Sequence, residues 1–210
     1  MKKKIVFIMN PISGTSSKAA VPSLIDSTLD KEQFEYEIKM TERPGHASEL
    51  AAEARDNHAD IVVAVGGDGT VNEVARSLVH SDSALGILPC GSGNGLARHL
   101  LLPMNLKKSI EIINACEIHD LDYGVINEYP FFCTCGMGFD AFVSMKFAES
   151  GKRGPISYAE NILREGLKYE PETYTLEDET GTKQYKAFLI SCANASQYGN
   201  NAYIAPQASM

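Results

Sequence analysis

Apolar positions along the first half of the chain fall into two patterns that take turns. Lys4–Met9 (KIVFIM) and Ile61–Val65 (IVVAV) are nearly unbroken apolar runs, the pattern of strands buried on both faces. Leu85–Leu88 is a shorter run closed by Pro89, and Phe34, Tyr36, Ile38 and Met40 alternate with polar residues as a further strand. Between these runs the period lengthens. Helices are predicted over 19–29, with Pro22 tolerated in the first turn, over the alanine-rich stretch His46–Arg55, and over Leu106–Ala115. Another starts at Thr70 and sets Val71, Val74, Ala75 and Leu78 on one face. The order β-α-β-α-β-α-β predicts a three-layer α/β domain, a parallel sheet with helices on both faces, over residues 1–117.

From about Ile118 the pattern changes. Ile118–Val125, Phe131–Cys135, Thr173–Glu177 and Tyr185–Asn194 read as strands, with a hairpin turn at 178–181. Helical pattern lies at Ala141–Glu149 and Ile156–Leu167, so residues 118–210 are expected to form a second, antiparallel β-rich domain. The stretch 198–210 contains no closing strand or helix, and a truncated chain with exposed sheet edges and a tendency to form homodimers is expected.

In parallel sheets ligands bind at the carboxyl ends of the strands, and the polar and glycine-rich loops fall at those ends. Gly66-Gly67-Asp68-Gly69 leads from a strand into a helix start, a geometry in which backbone N–H groups can approach a phosphate. A carboxylate there repels phosphate unless a cation intervenes. Asp68 is therefore read as a Mg²⁺-side or water-mediated ligand, its plainer alternative being a helix cap or turn closure. The loop Asn10-Pro11-Ile12-Ser13-Gly14-Thr15-Ser16-Ser17 is rich in hydroxyls and N–H donors. The loop Pro89–Gly95 offers the donors of Gly91 and the side chains of Ser92 and Asn94. Arg98 is read as a support for that loop and His99 as structural. No G-K-[ST] sequence follows either glycine turn, so phosphate charge must be met by N–H groups, Mg²⁺ and more distant basic residues. Gly136–Ala141 matches the form G-x-G-x-x-A without the βαβ context that gives it meaning, and Asp140 is read instead as a cleft carboxylate.

Composition changes this picture little. The 210 residues carry a net charge of −8, with no basic stripe for nucleic acid. Five cysteines, Cys90, Cys116, Cys133, Cys135 and Cys192, are scattered as free thiols of a reducing compartment, and the Cys133/Cys135 pair is read as packing rather than metal-binding. No run is long enough for a signal peptide or a bilayer span, which suggests a cytoplasmic protein.

Taken together, the loops resemble the bacterial form of the diacylglycerol kinase and sphingosine kinase catalytic-domain family. The matching residues are Asn10–Gly14, Thr41 with Gly45-His46-Ala47, Gly66–Thr70 with Asn72-Glu73, Pro89–Arg98, Gly136–Ala141 and Gly154–Tyr158. The resemblance implies an ATP site lined by Asn10, Pro11, Ser13, Gly14, Thr41, Gly67–Glu73 and Ser92, with Ser92 where the family usually has threonine. It also implies an antiparallel β-sandwich for the second domain and a lipid entering near Asp140. A general base would lie in a segment of roughly 80 to 100 residues beyond Met210. The implied activity is transfer of the γ-phosphoryl group of Mg-ATP to the hydroxyl of a diacylglycerol-like lipid, with ATP and Mg²⁺ as cofactors and contact with the inner face of the membrane. Two rivals stay open: an NAD kinase, which shares the GGDGT turn, and a nucleotide-binding module without turnover.

Overall fold

The computed structural model describes residues 2–12, 18–149, 166 and 168–210. Four strands, β1 (Lys3–Met9), β2 (Phe34–Met40), β3 (Ile61–Gly66) and β4 (Ala84–Pro89), form one parallel sheet in the order β2-β1-β3-β4. The unbroken apolar runs are its two central strands, as expected of segments covered on both faces. Ile5, Phe7 and Met9 join Ile61, Val63 and Val65 against α1 (Val21–Thr28) and α5 (Leu106–Ala115). Their neighbours Val6, Ile8, Val62 and Ala64 face the other way, against α2 (His46–Asp56) and α3 (Asp68–Leu78). Along α2 the core positions are Ala47, Ala51 and Ala54, whose small side chains let it lie close to the sheet and to α3. Pro22 stands in the first turn of α1, and Asn105 caps α5 by accepting the Lys108 N–H at 3.1 Å. One boundary moves: α3 begins at Asp68 instead of Thr70, with Gly67 as its N-cap.

The chain divides into two compact units, one of residues 1–133 with 194–210 and one of Thr134–Ala193. The first also contains the short helix α4 (Gly95–His99) and a hairpin of β5 (Gly124–Ile126) and β6 (Tyr129–Phe131). That hairpin turns on Asn127 and Glu128, both at positive φ (47° and 70°). The second unit pairs β7 (Thr134–Gly138) antiparallel with β10 (Leu189–Ala193), and β8 (Glu172–Asp178) antiparallel with β9 (Gly181–Ala187). The turn predicted at 178–181 is there, tightened by Asp178 Oδ1, which accepts the Thr180 N–H at 2.7 Å. Helix α6 (Phe139–Glu149) starts beside Phe188, whose ring centroid lies 4.7 Å from that of Phe139.

Several strand predictions need correction. The strand expected over Ile118–Val125 is confined to Gly124–Ile126, and Phe131–Cys135 is divided between β6 and β7. The run Tyr185–Asn194 breaks at Phe188, because its two halves pair with different strands. The helix predicted over Ile156–Leu167, the basic loop at Lys152 and Arg153 and the family positions 154–158 lie outside the described residues, Gly166 apart.

Candidate functional site

Backbone hydrogen bonds carry the alignment of the sheet one step past its carboxyl edge. Asn10 N–H donates to Val65 O at 3.1 Å, Thr41 N–H to Met9 O at 2.9 Å and Cys90 N–H to Gly66 O at 2.7 Å. Asn10, Thr41, Gly66 and Cys90 are thereby set along one edge.

The two glycine turns meet there. A Cβ built on Gly67 would lie 3.0 Å from the Gly91 Cα, and one built on Gly91 would fall against the Gly67 Cα. Backbone touches backbone, which only glycine at both positions allows. A Cβ on Gly66 would strike the Thr70 side chain. Gly69 is different: nothing stands within 4 Å of a Cβ built on it. It occupies the first turn of α3, an 11-residue helix whose first i→i−4 bond is Val71 N–H to Gly67 O at 3.0 Å. The N–H groups of Asp68, Gly69 and Thr70 precede that bond and are the helix's anion-facing donors.

Asp68 reaches from this helix start to the neighbouring loop. Its Oδ2 accepts the Asn94 N–H at 2.8 Å and its Oδ1 the Gly95 N–H at 2.6 Å, so one carboxylate caps α4 and ties the two turns together. The residue as a whole is exposed, but the loop crowded around the carboxylate desolvates it. That effect dominates and holds its pKa above the ordinary carboxylate value, against the opposing pull of the Gly95 and Asn94 N–H groups.

Glu73 does the same on the other side. Gly45, the N-cap of α2, has φ +80° and no side chain to offer, and Glu73 accepts the N–H groups of Gly45 and Ala47, each at 3.2 Å. Glu73→Gln keeps one acceptor oxygen and turns an amide N–H₂ toward the second donor. Urea unfolding should therefore register a loss of about 1–2 kcal/mol, with faster hydrogen exchange at Ala47; unchanged exchange would mean that the cap is not formed in solution. Thr70, buried, faces Asn10, with 3.5 Å between Thr70 Oγ1 and Asn10 Nδ2. Three residues of one helix thus reach three neighbouring strand-end loops.

Lys18 is the residue the sequence reading passed over. It is buried, and its Nζ donates to Asn10 O at 2.9 Å at the tip of β1. Burial raises the pKa of the Cys90 thiol while the nearby Lys18 charge lowers it. The available signal was a lysine at the far end of a hydroxyl-rich loop, in a chain without a G-K-[ST] lysine.

The loop after β4 is braced from within and from behind. Asn94, at φ +53°, accepts the Gly91 N–H through Oδ1 at 2.8 Å and donates through Nδ2 to Gly91 O at 2.9 Å. Arg98 Nε donates to Gly93 O at 3.1 Å, the supporting part read from the sequence. Residues 196–200 close the rear. His99 Nδ1 accepts the Ser196 N–H at 3.1 Å, and Gly199, at φ +116°, bridges to Asn94 where a Cβ would lie 2.7 Å from Gly93. Cys133 donates its S–H to Gln197 O at 3.2 Å, and burial, aided by the Asp68 charge, pushes that thiol up to about 12.

Of the predicted site residues, Asn10, Thr41, Gly66, Gly67, Asp68, Gly69, Thr70, Gly91 and Asn94 are joined by the contacts above. Pro11 and Ser92 are exposed on two of these loops, and Asn72 lies on α3. Ser13 and Gly14 lie outside the described residues. Asp140 belongs to the second unit, where its Oδ1 accepts the Ala141 N–H at 2.8 Å. The G-x-G-x-x-A stretch there leaves β7, a strand paired antiparallel, which is not the parallel setting of a dinucleotide site. Among the described residues no group of three or more His, Cys, Asp or Glu side chains is arranged to hold a metal ion, and no helix is long and apolar enough to cross a membrane. Mg²⁺ here would depend on phosphate oxygens and water, with Asp68 offering the lone pairs its two N–H donors leave over.

Comparison with known proteins gives this geometry a context. Residues 4–126 match the diacylglycerol kinase catalytic domain, and residues 133–210 match the YegS C-terminal NAD kinase beta sandwich-like domain. The chain is 32% identical over 163 residues to a protein named diacylglycerol kinase from Staphylococcus saprophyticus, covering 75% of this chain and 53% of that protein. It is 29% identical over 187 residues to a protein named probable lipid kinase YegS from Escherichia fergusonii, covering 86% of this chain and 62% of that one. The chain thus spans roughly three fifths or less of these curated relatives. In fold it is similar to the crystal structure of a diacylglycerol kinase from Bacillus anthracis, with a TM-score of 0.74, 20% identity, and coverage of 99% of this chain and 71% of that one.

Proposed function

The chain belongs to the family of the diacylglycerol kinase catalytic domain, and on that premise we propose that it carries the nucleotide site of an ATP-dependent lipid kinase. The reaction is transfer of the γ-phosphoryl group of Mg-ATP to the hydroxyl of a diacylglycerol-like lipid. The observation that carries the reading is the back-to-back contact of Gly67 with Gly91, beside the open space over Gly69. Phosphoryl transfer asks a protein chiefly to hold oxygens in place and to meet negative charge. In this reading the N–H groups that start α3 receive the phosphates, and Ser92 and Asn10 contribute from the flanking loops. Buried Lys18 supplies the fixed positive charge that a G-K-[ST] lysine supplies elsewhere. Mg²⁺, when bound, neutralises phosphate charge on the Asp68 side. Residues 1–117 form the ATP-binding part, and residues 118–210, including Asp140, belong to the lipid side. The enzyme works at the inner face of the membrane, reached from the cytoplasm.

The test is transfer of labelled γ-phosphate to diacylglycerol, phosphatidylglycerol, sphingoid bases and NAD in parallel, together with thermal unfolding with and without Mg-ATP. Labelled lipid supports the reading. Labelled NAD replaces it with the NAD kinase reading, and stabilisation by ATP without any labelled product replaces it with that of a nucleotide-binding module.

A further inference from the structure

Helix α4 ends in a way its sequence does not favour. Leu101 N–H bonds to Arg98 O at 3.1 Å and Leu102 N–H to Ala97 O at 2.9 Å, the paired bonds of a helix end that turns through a left-handed residue. That residue is Leu101, at φ +57°. Glycine takes this conformation freely, whereas a side chain there is strained. Leu101 gains nothing in return from burial: at 87% it is the most exposed large apolar side chain among the described residues. Backbone strain and apolar exposure therefore coincide at one position, a combination that points to a contact made outside the chain.

The surroundings indicate which contact. Met104, three residues on, is also exposed, and Lys107 and Lys108 stand exposed in the first turn of α5. Between Asp82 and Glu111 the sequence contains no carboxylate side chain, although the whole chain carries a net charge of −8. An acidic protein has here a carboxylate-free stretch with an apolar tip and adjacent lysines, the pairing that favours an anionic bilayer. The patch also borders the nucleotide site, since Met104 Sδ lies 3.8 Å from Asn94 Nδ2.

We propose that Leu101, Met104, Lys107 and Lys108 form the surface by which this chain docks on anionic membranes. Leu101 enters the acyl region and the lysines meet the headgroups. Docking there brings the strand-end loops to the bilayer, where a lipid hydroxyl is presented; the inference rests on the lipid-kinase reading in that respect.

The experiment is cosedimentation of the chain with phosphatidylglycerol/phosphatidylcholine vesicles and with pure phosphatidylcholine vesicles, at low and high salt. The parent should bind the anionic vesicles at low salt and release them at high salt. Leu101→Gly should weaken vesicle binding about tenfold, the scale of one buried leucine side chain, while raising the unfolding temperature because the strain is relieved. Lys107→Glu/Lys108→Glu should abolish salt-sensitive binding. The opposite signs of binding and stability for Leu101→Gly exclude misfolding as the cause. Unchanged vesicle affinity of Leu101→Gly, or equal binding of the parent to neutral vesicles, overturns the proposal. Phosphate transfer to detergent-dispersed lipid without vesicle binding also overturns it and leaves the kinase reading standing. Vesicle binding without transfer to any lipid does the reverse.

Discussion

Gly91→Ala is expected to cost roughly 3 kcal/mol of stability, the upper end of the overpacking range, and to abolish ATP binding. Its methyl group would be driven into the Gly67 Cα and would also lie 2.8 Å from Asn94 Oδ1. No rotamer change can relieve the first of these contacts, because the obstacle is main chain, so β3 and β4 must part at their carboxyl ends. Gly69→Ala is the matched control. With nothing within 4 Å of its Cβ and a place in the first turn of α3, it should gain about 0.5–1 kcal/mol from helix propensity. It should lose ATP nonetheless, because the methyl group fills the space the phosphates require. Urea unfolding and ATP-induced thermal stabilisation would measure both effects. Full stability of Gly91→Ala would contradict the back-to-back contact, and normal ATP affinity of Gly69→Ala would move the phosphates elsewhere.

The part of the fold that could be read from sequence is the part held by periodicity. Ile61–Val65 announces a strand covered on both faces, and the alternation Phe34–Met40 announces a flanking one, because burial itself sets those patterns. The second unit was less legible. Its apolar runs continue through Phe188 and through Phe132–Cys133, so nothing local marks where a strand changes partner. The hairpin at Asn127-Glu128 turns without glycine and was missed for that reason. In the site, the strand-end loops were legible from their glycines, but the employment of their carboxylates and amides was not. The N–H donors that Asp68 and Glu73 engage lie 26 to 28 residues away in the chain, on separate loops. Only the tertiary arrangement makes them neighbours, and Lys18 was passed over for the same reason.

Asp68→Ala is the second large effect, and it separates two tasks that one carboxylate could perform. Removing the carboxylate leaves the N–H groups of Asn94 and Gly95 without their acceptor and unties the two turns. A loss of about 1–3 kcal/mol follows for the unpaired donors, and it must occur with no nucleotide or metal present. A residue acting only through Mg²⁺ would instead leave the ligand-free protein as stable as the parent and alter only the Mg²⁺ dependence of ATP binding. The pH dependence gives an independent sign. Because the folded pKa of Asp68 lies above its ordinary value of 3.8, the native state holds the proton more tightly than the unfolded chain in the interval between the two. The Asp68 contribution to stability therefore falls as pH rises through that interval and is constant above it. In Asp68→Ala that decline should vanish while the loss at neutral pH remains. If ligand-free Asp68→Ala unfolds at the parent's urea concentration, the tie between the turns is not what holds the loops, and the approach of Gly67 to Gly91 must be maintained by the sheet alone.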